Sequence, residues 1–368
     1  ERLELSNIDF AGLIGPDQDI GYIKLNQFGL RSGDEIRTEL DRFLETESRG
    51  LILDLRDNPG GILQEAVRIV DKFIEPGVTV VETRGRLAEY NEIFSSQEPI
   101  LYDAPIVVLM NGGSASASEV TAGALQDLDR AVILGQQSFG KGLVQIVKPL
   151  PYNTSLKITI SRYYTPSGRS IQSVQYMHDS EYTPVTKADS LLRTYRTKNG
   201  REVTEGRGII PDLLLEEEEL SLLQLNLLQQ GSYFDFATRY MAENDSLEVE
   251  ELPQSVFYEF LNYLNQSGFS YETPADEALE ALRANLDEGE EKTEAIRLLE
   301  LAIRKQKREQ LEAEADRISR ILYEELVYRY RGQEQRFLES LEKDTEVLQA
   351  IDLLMNPGRM DELLAGDQ

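Results

Sequence analysis

The sequence predicts an α/β core followed by an all-helical C-terminal domain. Between residues 20 and 215, short apolar runs alternate with longer amphipathic stretches, as strands alternate with helices in layered α/β folds. Beyond residue 220 the strand signals stop, and apolar residues recur only at helical spacing.

Residues 1–19 read as a linker or remnant strand ahead of a core at 20–219. In that core GYIKLNQF, GLILDLR, APIVVLMNGG, RAVILGQ, GLVQIVKPL and SLKITISRYYT have the composition of strands. Several are apolar on both faces and so belong inside a sheet covered on two sides. GDEIRTELDRFLETES, GILQEAVRIVDKFIEPG and SEVTAGALQDLDR read as the intervening helices, the second closed by Pro76-Gly77. Residues 172–207 are polar and read as an excursion off the core, and Glu216–Glu219 as a solvated charge run.

The helical domain is expected over 220–368. Ile296, Leu299, Ile303, Leu311, Ala315, Ile318, Leu322 and Leu326 would share one long helix stopped by Gly332, and FLESLEKDTEVLQAIDLLMNP a second ended by Pro357. Five polar residues, Lys305–Glu309, interrupt the stripe of the long helix, so part of it is expected to project into solvent. Tyr323, Tyr328 and Tyr330 suit a surface that meets another chain. Self-association, or docking of an adaptor, is therefore expected of this domain.

Composition removes several functions. A net charge of −28 repels phosphates, so nucleic acid is not an expected partner. No apolar run reaches the ~18 residues of a transmembrane segment, and ERLELSNIDF has neither the basic nor the apolar region of a signal peptide. The absence of cysteine excludes disulfides, thiolate nucleophiles and Cys-ligated zinc. The single histidine, His178, cannot build a multi-His metal site and reads as a surface residue. No metal or cofactor is expected, and any base-assisted chemistry would fall to Lys, Glu or Asp.

Three stretches remain where chemistry is possible. NGGSASASEV (Asn111–Val120) puts the smallest residues, three of them hydroxylated, where a buried strand turns into a helix. Ser116 and Glu119 fit an S-x-x-E capping box, and Gly112 and Gly113 fit close packing of helix on sheet, so a purely structural role and a nucleophilic one both stand. DLRDNPGG (Asp54–Gly61) is a strand ending in a glycine turn, and such turns aim backbone N–H groups at anions. SFGKGLVQ (Ser138–Gln145) sets Lys141 beside an apolar strand, where desolvation favours a neutral amine.

Taken in order, GYIKLNQF, DLRDNPGG, NGGSASASE, GALQD, SFGKGLVQ, YYTPSGRSIQ and GIIPD closely resemble the carboxyl-terminal processing (tail-specific) serine peptidases over roughly residues 8–215. The resemblance implies a crotonase/ClpP-like ββα core, a Ser-Lys dyad, ATP-independent cleavage of polypeptides with accessible C-termini, and a periplasmic or otherwise exported location. The family's spacing from nucleophile to lysine selects Ser116 and Lys141. The match also implies a catalytic-site role for Gln145 and a supporting role for Asp127. The oxyanion hole would join the N–H of Ala117 to that of Gly60 or Gly61. On a straight strand Lys141 and Gln145 share a face but stand ~13 Å apart, so Gln145 needs a bend at Gly140 or Gly142 to act. Family members carry a PDZ domain ahead of the GYI motif; about nineteen residues precede Ile20 here, so none is expected in this chain. Two other classes compete: a non-catalytic scaffold binding through its acidic helical domain, and a crotonase-type acyl-CoA enzyme using Glu119.

Overall fold

The computed structural model describes residues 6–176, 184–186, 192–216, 220–247, 251–285 and 290–366, so His178 lies outside the described residues. The chain divides into two compact units, residues 1–217 with 344–368, and residues 218–343.

In chain order the first unit runs β1 (Ile8–Ile14), β2 (Ile20–Leu25), α1 (Ser32–Glu45), β3 (Gly50–Asp54), α2 (Leu63–Val70), β4 (Thr79–Gly85), β5 (Glu92–Ser95), β6 (Ile106–Met110), α3 (Ala117–Asp127), β7 (Val132–Gly135), β8 (Leu143–Leu150) and β9 (Thr154–Tyr164). Short strands β10 (Val174–Tyr176), β11 (Pro184–Thr186), β12 (Thr194–Arg196), β13 (Glu202–Thr204) and β14 (Leu213–Leu214) follow. The main sheet has the order β1-β2-β3-β6-β7-β14; only the β1–β2 pair is antiparallel. Within residues 1–19, Ile8–Ile14 form β1, the edge strand of this sheet. A second, antiparallel sheet has the order β5-β4-β9-β8.

Every residue of β3, β6 and β7 is buried, as expected of parallel strands covered on both faces. Alternation along the strands sends Leu51, Leu53, Val108 and Ile133 into one cluster with Ile36, Leu40, Ile69, Val120 and Leu125 of α1–α3. Each such Leu, Ile or Val stabilises the fold by ~1.5–3 kcal/mol relative to exposure. The opposite parity faces a layer absent from the sequence expectation. Helix α11 (Thr345–Met355) packs on β3, β6 and β7, and α12 (Pro357–Leu364) on β7. A Cβ on Gly50 would lie 2.7 Å from a Leu354 methyl, so this glycine admits the helix. The helical domain expected over 220–368 therefore ends at 343, and residues 344–368 complete the core. The helix expected over GILQEAVRIVDKFIEPG stops at Val70, where Asp71 turns its carboxylate to the N–H of Gln97 at 2.7 Å.

The second unit contains helices α4 (Leu222–Gln229), α5 (Ser232–Glu243), α6 (Gln254–Ser267), α7 (Pro274–Asn285), α8 (Glu290–Ala313), α9 (Ala315–Arg331) and α10 (Gln333–Glu342). Leu223, Leu227, Phe236, Phe260, Ile318, Leu322 and Leu326 form its core. The expected long helix is two, α8 and α9, broken at Glu314, whose carboxylate takes hydrogen bonds from Ser221 and Gln224 at 2.9 Å. FLESLEKDTEVLQAIDLLMNP likewise divides into α10 and α11, because Asp344 caps α11 through the N–H groups of Glu346 and Val347. The polar gap at Lys305–Glu309 does not simply project: Lys307 donates to the Tyr271 carbonyl at 2.6 Å and pairs with Asp276 at 2.8 Å. Tyr323 is buried and Tyr330 donates to the Asn244 carbonyl; Tyr328 is the exposed one of the three.

Candidate active site

The strand-to-helix turn after β6 separates the three serines of NGGSASASE by what they touch. Ser114 donates to the Leu55 carbonyl at 2.8 Å and Ser118 to the Asn58 carbonyl at 2.9 Å. Both are occupied in fastening the turn to the loop after β3. Ser116 sits between them as the N-cap of α3, with φ 58° and ψ −111°. A non-glycine residue held there costs on the order of 1–3 kcal/mol, which the surrounding fastenings supply. Tyr163 of β9 directs its phenol at the Ser116 hydroxyl; burial pushes that phenol up and the hydrogen bond works against the push.

Glu119 is the centre of the site. It is fully buried, and its Oε2 accepts the backbone N–H of Ser116 and that of Lys141, each at 2.8 Å. Its Oε1 accepts the Ser138 hydroxyl and the Gly140 N–H, each at 2.6 Å. Burial raises the Glu119 carboxyl, and these four donors oppose the rise. The capping box foreseen from Ser116 and Glu119 is half the story: the same carboxylate also fixes the loop that carries Lys141. Gln172 anchors the next residue by accepting the Gly142 N–H at 2.8 Å.

Lys141 is brought near Ser116 through its backbone. The nitrogens of the two residues share one acceptor atom, so they cannot stand farther apart than twice 2.8 Å. The Lys141 ammonium has no hydrogen-bond or ion-pair partner among the described residues. Gln145 is not brought to the site: it is exposed and donates to the Thr159 hydroxyl at 3.4 Å. A register shift between Val144 and Gln145 breaks the period of two that had put Gln145 on the face of Lys141.

Asp127 closes α3 at its far end, ~16 Å along the helix from Ser116 at ~1.5 Å per residue. It pairs with buried Arg169 at 2.9 Å and accepts the Ser167 N–H at 3.0 Å, so it secures the PSGR turn that follows β9. For the anion site, Gly60 fits most tightly. A Cβ there would meet the Ala115 carbonyl at 2.5 Å, the Ala117 nitrogen at 2.7 Å and the Ser116 Cβ at 2.9 Å. The Gly60 N–H is already given to Asn58 Oδ1 at 2.9 Å. The N–H groups of Gly61 and Ala117 have no partner among the described residues. Among the described residues no group of His, Asp or Glu could hold a metal, and no helix is long and apolar enough to cross a membrane. Sequence reasoning missed Tyr163, Gln172 and the second role of Glu119; each lies inside a stretch singled out for its motif, yet each acts across the fold.

Residues 19–182 match the model of peptidase family S41, and residues 223–354 match one described as "Probable PDZ-protease, C-terminal helical domain". A carboxy-terminal-processing protease of Bartonella bacilliformis is 47% identical over 161 residues, which are 42% of this chain and 37% of that one. A carboxyl-terminal-processing protease of Synechocystis sp. is 40% identical over 164 residues, 45% of this chain and 38% of that one. The matched stretches thus span well under half the length of these relatives. The solved structure of a photosystem II D1 C-terminal processing protease aligns with 59% of this chain and 48% of its own, at 29% identity and a TM-score of 0.42.

Proposed function

We propose, from the premise that residues 19–182 carry a peptidase family S41 sequence, that this chain is an ATP-independent serine endopeptidase acting near the C-termini of polypeptides. The observation that carries it is the shared acceptor: one buried carboxylate holds the backbone of Ser116 and of Lys141 together at the head of α3.

Ser116 Oγ attacks the peptide carbonyl carbon while its proton passes to the neutral amine of Lys141. The oxyanion is received by the N–H of Ala117 with that of Gly61, neither of which has a partner among the described residues. Collapse breaks the C–N bond, and the Lys141 ammonium returns its proton to the leaving amine. Water then releases the acyl group by the same base. For this the Lys141 amine has to come within hydrogen-bond distance of Ser116 Oγ, a side-chain adjustment with a low barrier. Gln145 would join the site only with a rearranged β8; Asp127 acts at a distance through Arg169. The resemblance to the carboxyl-terminal processing peptidases adds a proposed exported location, and the helical unit is assigned to self-association or to docking an adaptor.

The test is a fluorophosphonate probe with mass spectrometry, alongside cleavage of an unfolded protein substrate. Ser116 should be labelled, and Ser116→Ala and Lys141→Ala should each abolish cleavage while leaving the fold intact. Full activity of Lys141→Ala would end the dyad. A second function, a non-catalytic scaffold, is favoured by one observation: neither the Lys141 ammonium nor the Gln145 amide makes a hydrogen bond to Ser116 among the described residues. It requires an unlabelled Ser116.

A further inference from the structure

Tyr163 and its neighbours on β9 point to opposite faces. Tyr163 meets Ser116; Arg162 and Tyr164 line a separate cavity of about 250 Å³ with Arg84, Arg193, Gln172 and others. Arg84 and Arg162 stand directly opposite each other across the antiparallel β4–β9 pair. Like charges in that relation destabilise a sheet, and the chain as a whole is strongly acidic. Arg84 is partly answered: it pairs with Glu82 at 2.6 Å and lies 4.4 Å over the Tyr164 ring. Arg162 has no hydrogen-bond or ion-pair partner among the described residues. The one carboxylate of the lining among the described residues, Glu205, accepts the Tyr195 hydroxyl at 3.2 Å. Among the described residues, three guanidinium groups therefore line a polar cavity with a single, already engaged, negative charge.

We propose that this cavity binds a carboxylate of a peptide ligand, with Arg162 as its principal contact. A guanidinium fork matches a carboxylate in geometry as well as charge. The cavity is connected to the serine site through Gln172, which lines it and accepts the N–H of Gly142, the residue next to Lys141. The link to catalysis rests on the peptidase function proposed above; carboxylate binding itself does not. The terminal α-carboxylate of the polypeptide and an acidic side chain offer the same chemistry, and the probes separate them.

The experiment measures binding by fluorescence anisotropy on the full chain carrying Ser116→Ala, with and without Arg162→Gln. Three labelled Gly-Ser peptides serve: one ending in a free carboxylate, one ending in an amide, and one ending in an amide but containing an internal Glu. Arg162→Gln should weaken the free-acid peptide about tenfold to a hundredfold, the range of one charge-assisted hydrogen-bond pair, and leave the plain amide unchanged. Loss confined to the Glu peptide assigns the site to acidic side chains. Equal binding of all three peptides by both proteins, or equal loss of all three, overturns the site. Arg162→Lys keeps the charge without the fork and should fall between, which distinguishes lost recognition from lost folding. Fluorophosphonate labelling of Ser116 in the otherwise native Arg162→Gln chain should match that of the parent. If the parent is unlabelled but carboxylate-dependent binding persists, the peptidase assignment fails and the cavity stands.

Discussion

Ser116 and Lys141 are joined by one atom: Glu119 Oε2 accepts the backbone N–H of each at 2.8 Å. The turn that shapes the serine and the loop that delivers the lysine are thus held by the same carboxylate, buried where water cannot replace it.

Glu119→Gln tests that arrangement. An amide offers one acceptor oxygen and replaces the other with a donor, which would face N–H or O–H groups already pointing inward. We expect a stability loss of about 2 kcal/mol or more, and a fall in peptide turnover of at least a hundredfold, because the two residues lose their common fastening. Thermal unfolding and a fluorogenic peptide assay measure the two separately. Native turnover in the variant would show that the carboxylate does not set the spacing.

Gly60 and Gly112 make a matched pair. Gly60 has φ +95°, and an added Cβ would press on the Ala115 carbonyl and the Ala117 nitrogen. Gly60→Ala should cost about 1–3 kcal/mol in backbone strain alone and abolish fluorophosphonate labelling of Ser116. A Cβ on Gly112 would meet nothing within 4 Å, so Gly112→Ala should stay within about 0.5 kcal/mol of the parent and label normally.

Acid stability should depend on Asp54. Burial works to raise its carboxyl, but the Arg56 guanidinium and then the Lys24 ammonium outweigh burial and hold it well below the usual carboxylate range. With a folded value below the unfolded one, it contributes stability above about pH 4 that is lost as pH falls further. Glu119, raised by burial, has the opposite sign: its contribution is present below its unfolded value and lost as pH rises through the folded one. Urea midpoints between pH 2 and 6 should therefore drop toward acid in the parent, and drop less in Asp54→Asn. An unchanged acid slope would refute the assignment to Asp54.

Arg56 spans from β3 to the segment that returns after the helical unit. Its guanidinium meets Asp54 Oδ2 at 2.5 Å, Asp344 at 2.8 Å and Glu346 at 2.9 Å. Arg56→Met leaves these carboxylates facing one another and should cost about 3–5 kcal/mol. Hydrogen exchange should quicken across residues 345–355 before it does in β6. Uniform quickening would mean the pairing does not hold α11 in place.

Much of the fold was legible wherever the period of a segment also dictated its surroundings. The all-apolar runs of β3, β6 and β7 could only be interior strands, and Ser116, Lys141 and the Gly60–Gly61 turn stood out by residue type and order. What stayed hidden was which partner a correctly identified surface would meet. Val347, Ala350, Leu353 and Leu354 announced a helix with one buried face, but nothing local told that this face covers β3 and β6 rather than α9. Gln145 was placed on the Lys141 face by strict alternation, and a single register shift undid it. Glu119 was recognised as a cap because its bond to Ser116 is local; its bonds to residues 138–141 need the folded loop.

Because β14 belongs to the main sheet before residue 218 and α11 returns to cover that sheet after residue 343, the helical unit is an insertion, tethered at both its ends. A protease cut within 218–343 would nick the molecule without releasing α11 or α12. Cutting the gene short after residue 219 would do the reverse, stripping two covering helices and baring Ile52, Val107 and Leu109. The first unit is to be obtained by excision, with residues 218–343 replaced by a short flexible linker and the C-terminal helices left in place.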